Sequence, residues 1–202
     1  LGHAETIVRT MLAKLESAFK SRNLGEHMQQ HDQIVVLREA VVSYLQRLGR
    51  SELSDADADE HADLLAATGE IENMSAAISH DLAPLIQSRG DTDLAPSSET
   101  ADLMERLFQT VQQSARSALQ ALVERDERAA QSVVGQRDAV RQFVTELHRQ
   151  QSARLAQDDP NSLLKHRMRF EMVDKLRRIY NVAEHMAISV LPRSVLAGEL
   201  SG

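Results

Sequence analysis

Residues 69–82 read GEIENMSAAISHDL, and residues 177–187 read RRIYNVAEHMA. In the first stretch Ile71, Met74, Ile78 and Leu82 recur every three or four residues, with Leu64 before them and Leu85 after. That period places them on one face of a helix. In the second, Ile179, Ala183 and Met186 continue a stripe that begins at Met168, Met172 and Leu176 and runs on to Val190. A shift of 108 superimposes the two: Ile71 falls on Ile179, Asn73 on Asn181 and Ile78 on Met186. One segment earlier in each half the shift is 106, with Asp32 on Asp138 and Leu37 on Phe143. A loop longer by two residues accounts for the change, so the simplest reading is an internal duplication.

The other segments fill out each half. Ile7, Val8, Met11, Leu12, Leu15, Ala18 and Phe19 form a first helical stripe, interrupted by Asn23, Leu24 and Gly25. A second carries Ile34, Leu37, Val41, Tyr44, Leu45 and Leu48, with Gly49 as its stop and Arg47 near the negative helix end. Ser54 caps the third, Asp57 stands at the capping-box position, and Pro84 kinks or ends the helix. Residues 89–96, RGDTDLAP, are the most loop-like and form the central connection. Ser97 or Ser98 opens a fourth helix with Met104, Leu107, Phe108, Val111, Leu119 and Leu122 inward. Asp126 and Gly135 flank the start of a fifth, with Val140, Phe143, Val144, Leu147 and Leu155. Asp159-Pro160 starts the sixth, and Pro192 ends it. The expected architecture is all-α: two tandem antiparallel three-helix bundles, six helices in all, over residues 1–92 and 93–192, with a flexible tail at 193–202.

Composition narrows the function. The 202 residues are 42% apolar and 26% charged, with only 8 Gly and 4 Pro, as suits a helical globular chain. The absence of cysteine excludes disulfides, Cys-ligated zinc, Cys-bound iron–sulfur clusters and a thiol nucleophile. A net charge of −7 argues against nucleic acid as a partner. No run approaches the ~20 apolar residues that span a bilayer. The start, LGHAETIVRT, has no basic lead with an apolar run and no Met.

No sequence motif for a nucleophile, phosphate loop or dinucleotide fold is present. His27 and His31, at i, i+4 with Asp32 adjacent, have the spacing of two zinc ligands, but no third ligand is marked, and an exposed polar helix surface is the preferred reading. Asp55, Asp57 and Asp59 alternate as in a calcium loop, yet Glu60 stands where Gly is needed and Ala66 where the bidentate Glu belongs. A helix start rich in negative charge explains them better. Lys165, His166, Arg167, Arg169, Lys175, Arg177 and Arg178 make the last helix basic, but Glu171, Asp174 and Glu184 interrupt the run and favour a solvated face of local pairs. Met168, Met172 and Met186 read as core. No Glu has a His three residues on, the pattern that a di-iron bundle requires.

With the duplicated six-helix order and the acid-rich start of the third helix, the two opening stretches resemble the signature helices of PhoU-like proteins. The resemblance covers nearly the whole chain and implies a multinuclear iron or zinc cluster held by a Glu-x-x-x-Asp pair in each repeat. Carboxylates at i, i+4 share a helix face and can hold a cation through oxygen. Here those four positions are Gly69, Asn73, Arg177 and Asn181, so none is a carboxylate, although Glu70 and Glu72 are close by. No metal cluster and no other cofactor is therefore expected.

The RRIYN form is similar to the PhoU-like region that follows the membrane domain of bacterial Na+/phosphate cotransporters. That resemblance implies a non-catalytic regulatory or assembly domain on the cytoplasmic side of the inner membrane. Its expected partner is the transporter's membrane domain, fused N-terminally, or a second copy of itself; a domain excised from a longer protein would also explain the missing Met. The expected contact residues are Arg177, Arg178 and Tyr180 on the last helix and Glu70 and Glu72 on the third. The alternative is a free-standing PhoU-type adaptor that represses phosphate-uptake signalling.

Overall fold

The computed structural model describes residues 24–49, 54–85, 98–155 and 163–192. The helix expected around residues 7–19, the connection at 89–96 with the division at 92, the Asp159-Pro160 start and the tail lie outside them. The described residues are all helical and contain no strand. In chain order they form α1 (Leu24–Leu48), α2 (Asp55–Ala76), a π turn (Ala77–Leu82), α3 (Ser98–Glu124), α4 (Glu127–Val134), α5 (Arg137–Leu155) and α6 (Leu163–Val190).

Each boundary has a local cause. α1 stops at Gly49, whose N–H donates to Leu45 C=O at 2.8 Å, and the His61 Nε2–H of α2 donates to the same carbonyl at 2.9 Å. That carbonyl accepts twice, and His61 ties the end of α1 to α2. Ser54 caps α2: its Oγ accepts from Asp57 N–H at 3.2 Å and its hydroxyl donates to Asp57 Oδ2 at 2.6 Å. The π turn explains what Pro84 does. A proline cannot donate to the carbonyl four residues back, and its ring crowds that carbonyl. The helix widens just ahead of it, with Ala83 N–H donating to Ile78 C=O, five residues back, and helical geometry resumes over 83–85. Pro84 therefore widens the helix ahead of itself without ending it there.

The fifth expected helix is two. Asp126 caps α4 with Oδ1, which accepts from Arg128 N–H at 3.0 Å and Ala129 N–H at 3.1 Å. α4 then closes at Gly135, and Gln136 N–H reaches back only three residues, to Val133 C=O at 3.0 Å, before α5 begins. One polar cap followed by one glycine is enough for an eight-residue helix.

The core joins all six helices. Ile34, Val41 and Leu45 of α1 meet Ile71 and Met74 of α2 and Ile78 of the π turn. Leu107, Val111 and Ala118 of α3, Val133 of α4, Leu147 of α5 and Leu176, Ile179, Ala183 and Met186 of α6 complete the cluster. α3 packs along α6 with α4 and α5 beside it, while α2 packs on α1 and, with its π turn, on α6. The positions matched between the halves have matching burial. Ile71 and Ile179 are buried, as are Ile78 and Met186, while Asn73 and Asn181 are exposed. Met172 and Met186 lie in the core and Met168 is half-buried.

Candidate interaction surface

The two signature stretches face each other. Glu70, early in the stretch on α2, lies 2.9 Å from His185 Nδ1 on α6. Asp81 in the π turn accepts from Lys175 Nζ at 3.0 Å and from Arg178 at 2.6 Å. The earlier residue of the first stretch thus meets the later part of α6 and the later residue the earlier part, so the two stretches run antiparallel. Apolar side chains close the middle of this seam: Ile71, Met74, Ile78, Ile179, Ala183 and Met186 are all buried.

This geometry reassigns several of the expected contact residues. Tyr180 is a core residue, 2% exposed, and its hydroxyl donates to Val133 C=O at 2.9 Å. Burial, reinforced by the negative charge of Glu184, raises its pKa well above that of a free phenol. Tyr180 therefore locks α6 to α4 and cannot meet a partner. Its position in the Ile179–Ala183–Met186 stripe was the available signal, and the polar hydroxyl obscured it. Arg178 is held to Asp81, and Glu72 is paired with Arg38 of α1 at 2.7 Å. Glu70 is held to His185. Arg177 is more than half exposed, with Asp174 one turn back at 3.3 Å, and Asn181 is exposed one turn on. Arg167–Glu171 at 2.8 Å is another local pair on this helix, as expected for a solvated face.

The histidine reading is overturned. His27 and His31 are 4% and 8% exposed, not surface groups. They turn toward α2 and the π turn, where His31 Nδ1 lies 3.0 Å from Ser75 Oγ and the His80 ring stands edge-on to His31 at 4.5 Å. Ser79 Oγ donates to the His27 carbonyl at 3.0 Å. Two histidines one turn apart have the same spacing on a buried face as on an exposed one, so the sequence alone did not distinguish the two. Among the described residues no three His, Asp or Glu side chains are grouped to hold a metal ion. Asp57 and Asp59 are exposed at the start of α2, as a charged helix start requires.

The positions where the resemblance implies a metal cluster do not fit one. Asn73, Arg177 and Asn181 are exposed, and nothing lies within 4 Å of where a Cβ would stand at Gly69. The space is there, but the donors are two neutral amides, a bare backbone and a cation. A multinuclear cation site needs anionic oxygen, which these four side chains do not supply.

A PhoU crystal structure from Pseudomonas aeruginosa superimposes with a TM-score of 0.72 at 18% identity, covering 93% of this chain and 90% of that one. The chain has the PhoU fold. At that identity the likeness speaks for the fold alone. No family model matches the sequence, and no curated protein matches it. Among the described residues no helix is long and apolar enough to cross a membrane.

Proposed function

We propose that this chain is a cytoplasmic, non-catalytic regulatory or assembly domain of a sodium-dependent phosphate transporter. It acts through contacts with the transporter's membrane domain or with a second copy of itself. The observation that carries the reading is a PhoU fold over 93% of the chain, with a glycine, two asparagines and an arginine where a metal-binding relative would need carboxylates. Arg177 and Arg178, both more than half exposed, form the contact with Asn181 beside them, while the more covered Glu70 and Glu72 serve the domain's own packing.

Fractionation of native cells, followed by immunoblotting with an antibody against this domain, tests the tether. A membrane band much larger than 22.5 kDa is expected. A soluble band near 22.5 kDa would replace this reading with a free-standing adaptor that represses phosphate-uptake signalling. Arg177→Glu tests the surface: phosphate uptake should lose its normal response to phosphate supply while the purified domain keeps its helical content. An unchanged uptake response removes Arg177 from the contact.

A further inference from the structure

The π turn is where three helices meet. Its consecutive residues point to different partners: Ser79 bonds the His27 carbonyl of α1, His80 packs edge-on against His31 of α1, and Asp81 holds Lys175 and Arg178 of α6. π turns are rarer and looser than regular helix, and they are frequent at functional positions. On the α1 side of this junction, imidazoles and hydroxyls stand beside the aliphatic Ile34 and Ile78. His27 and His31 are both more than nine-tenths buried, and His27 Nδ1 has no hydrogen-bond partner. His31 finds Ser75 on one side and His80 on the other.

Such a junction favours a neutral His31. A positive charge on His31, 8% exposed and with the exposed His80 ring 4.5 Å away, is disfavoured by burial. The charged groups facing His31 are His80 from the π turn, Asp32 from α1 and Glu72 from α2, and Glu72 is already paired with Arg38. Burial first, then His80, keep the imidazole below its ordinary pKa against the opposing pull of Asp32 and Glu72. A base whose folded pKa is lowered binds its proton more readily once unfolded. The contact is therefore at full strength above about pH 6.5, the free imidazole value, and weakens as pH falls through that value.

We propose that the α1–π turn junction is an acid-operated latch: protonation of His31 lifts the beginning of α1 from the π turn and loosens the turn that carries Asp81 to α6. Only one end of the molecule responds, because α3, α4, α5 and the late part of α6 are joined by apolar packing and by Tyr180.

Hydrogen exchange of the full chain at pH 7.5 and pH 5.8, corrected for the intrinsic pH dependence of exchange, tests it. Peptides covering 24–34 and 77–82 should lose protection by up to about fivefold in acid, while those from 101–122 and 176–190 keep theirs. His31→Asn offers Ser75 an amide without a titrating proton and should abolish the loss. His80→Ala leaves the Ser75 bond intact and should reduce the loss, which keeps the test open if His31→Asn folds poorly. Equal protection at both pH values overturns the latch. So does a uniform loss across all helices, or a wild-type loss in either variant.

Discussion

Gln151 lies on α5 with 1% of its surface exposed, and neither its amide nitrogen nor its amide oxygen has a hydrogen-bond partner. A buried polar group left unpaired costs about 1–3 kcal/mol of stability. Leucine has nearly the same length and no polar atoms, so Gln151→Leu should stabilise the domain by about 1–2 kcal/mol. Thermal unfolding should shift upward by roughly 2–4 °C per kcal/mol in a chain of this size. A lower melting temperature would mean that the amide is paired after all. The case also shows what a sequence conceals. A glutamine between charged neighbours, in HRQQSARL, reads as surface, and only packing reveals that it faces inward. His27 and His31 were misplaced for the same reason. Spacing assigns residues to a common helix face, but polarity is a poor guide to whether that face is buried when the burying surface is itself made of Ser75, Ser79 and His80.

At the scale of elements, the turn from α3 to α4 carries an unusual residue. Arg125 has φ 53°, the left-handed conformation that glycine normally supplies after a helix. Asp126 N–H donates to Ala121 C=O at 3.2 Å, five residues back, which forms the long bond of a Schellman closure. Arginine there accepts a conformational cost of about 1 kcal/mol, and its guanidinium pairs with Asp63 of α2. Both partners are at least half exposed, so the pair itself is worth no more than ~1 kcal/mol. Two variants separate these effects. Arg125→Ala loses the pair and keeps the strain; Arg125→Gly loses the pair and relieves it. In urea titrations the glycine variant should be the more stable by about 1 kcal/mol, the reverse of their order inside a helix. Alanine above glycine would show that the left-handed turn carries no cost. Other boundaries were legible because glycine, serine, aspartate and proline mark them by mechanism, as at Gly49, Ser54 and Asp126. The α4–α5 break was half legible. Asp126 and Gly135 were both visible, but eight residues between two punctuation marks read more simply as the approach to one helix than as a helix of its own.

For the whole molecule, the duplication was readable because its apolar positions match, while the seam between the signature helices was not. Contacts such as Glu70–His185, 115 residues apart, leave no trace in local periodicity. The seam also decides what the surface can bind. With Asp81 occupied by Lys175 and Arg178, and Glu70 and Glu72 held by His185 and Arg38, the nearby carboxylates are committed to the fold. The four motif positions contribute no carboxylate, and Arg177 brings a positive charge. Protein purified without a histidine tag should therefore contain no stoichiometric iron or zinc by elemental analysis. The same reasoning predicts a gain. Gly69→Glu with Asn73→Asp and Arg177→Glu with Asn181→Asp would place two i, i+4 carboxylate pairs at positions that are open to solvent or to added side chains. Oxygen ligands so spaced can hold a divalent cation. The quadruple variant should take up zinc or iron in equilibrium dialysis and melt at a higher temperature when metal is present, since a ligand that binds only the folded state stabilises it. Metal in the unmodified protein would show that Glu70 or Glu72 leaves its own pair to bind the ion. A quadruple variant that stays metal-free would show that the missing carboxylates are not what separates this chain from a metal-binding PhoU fold.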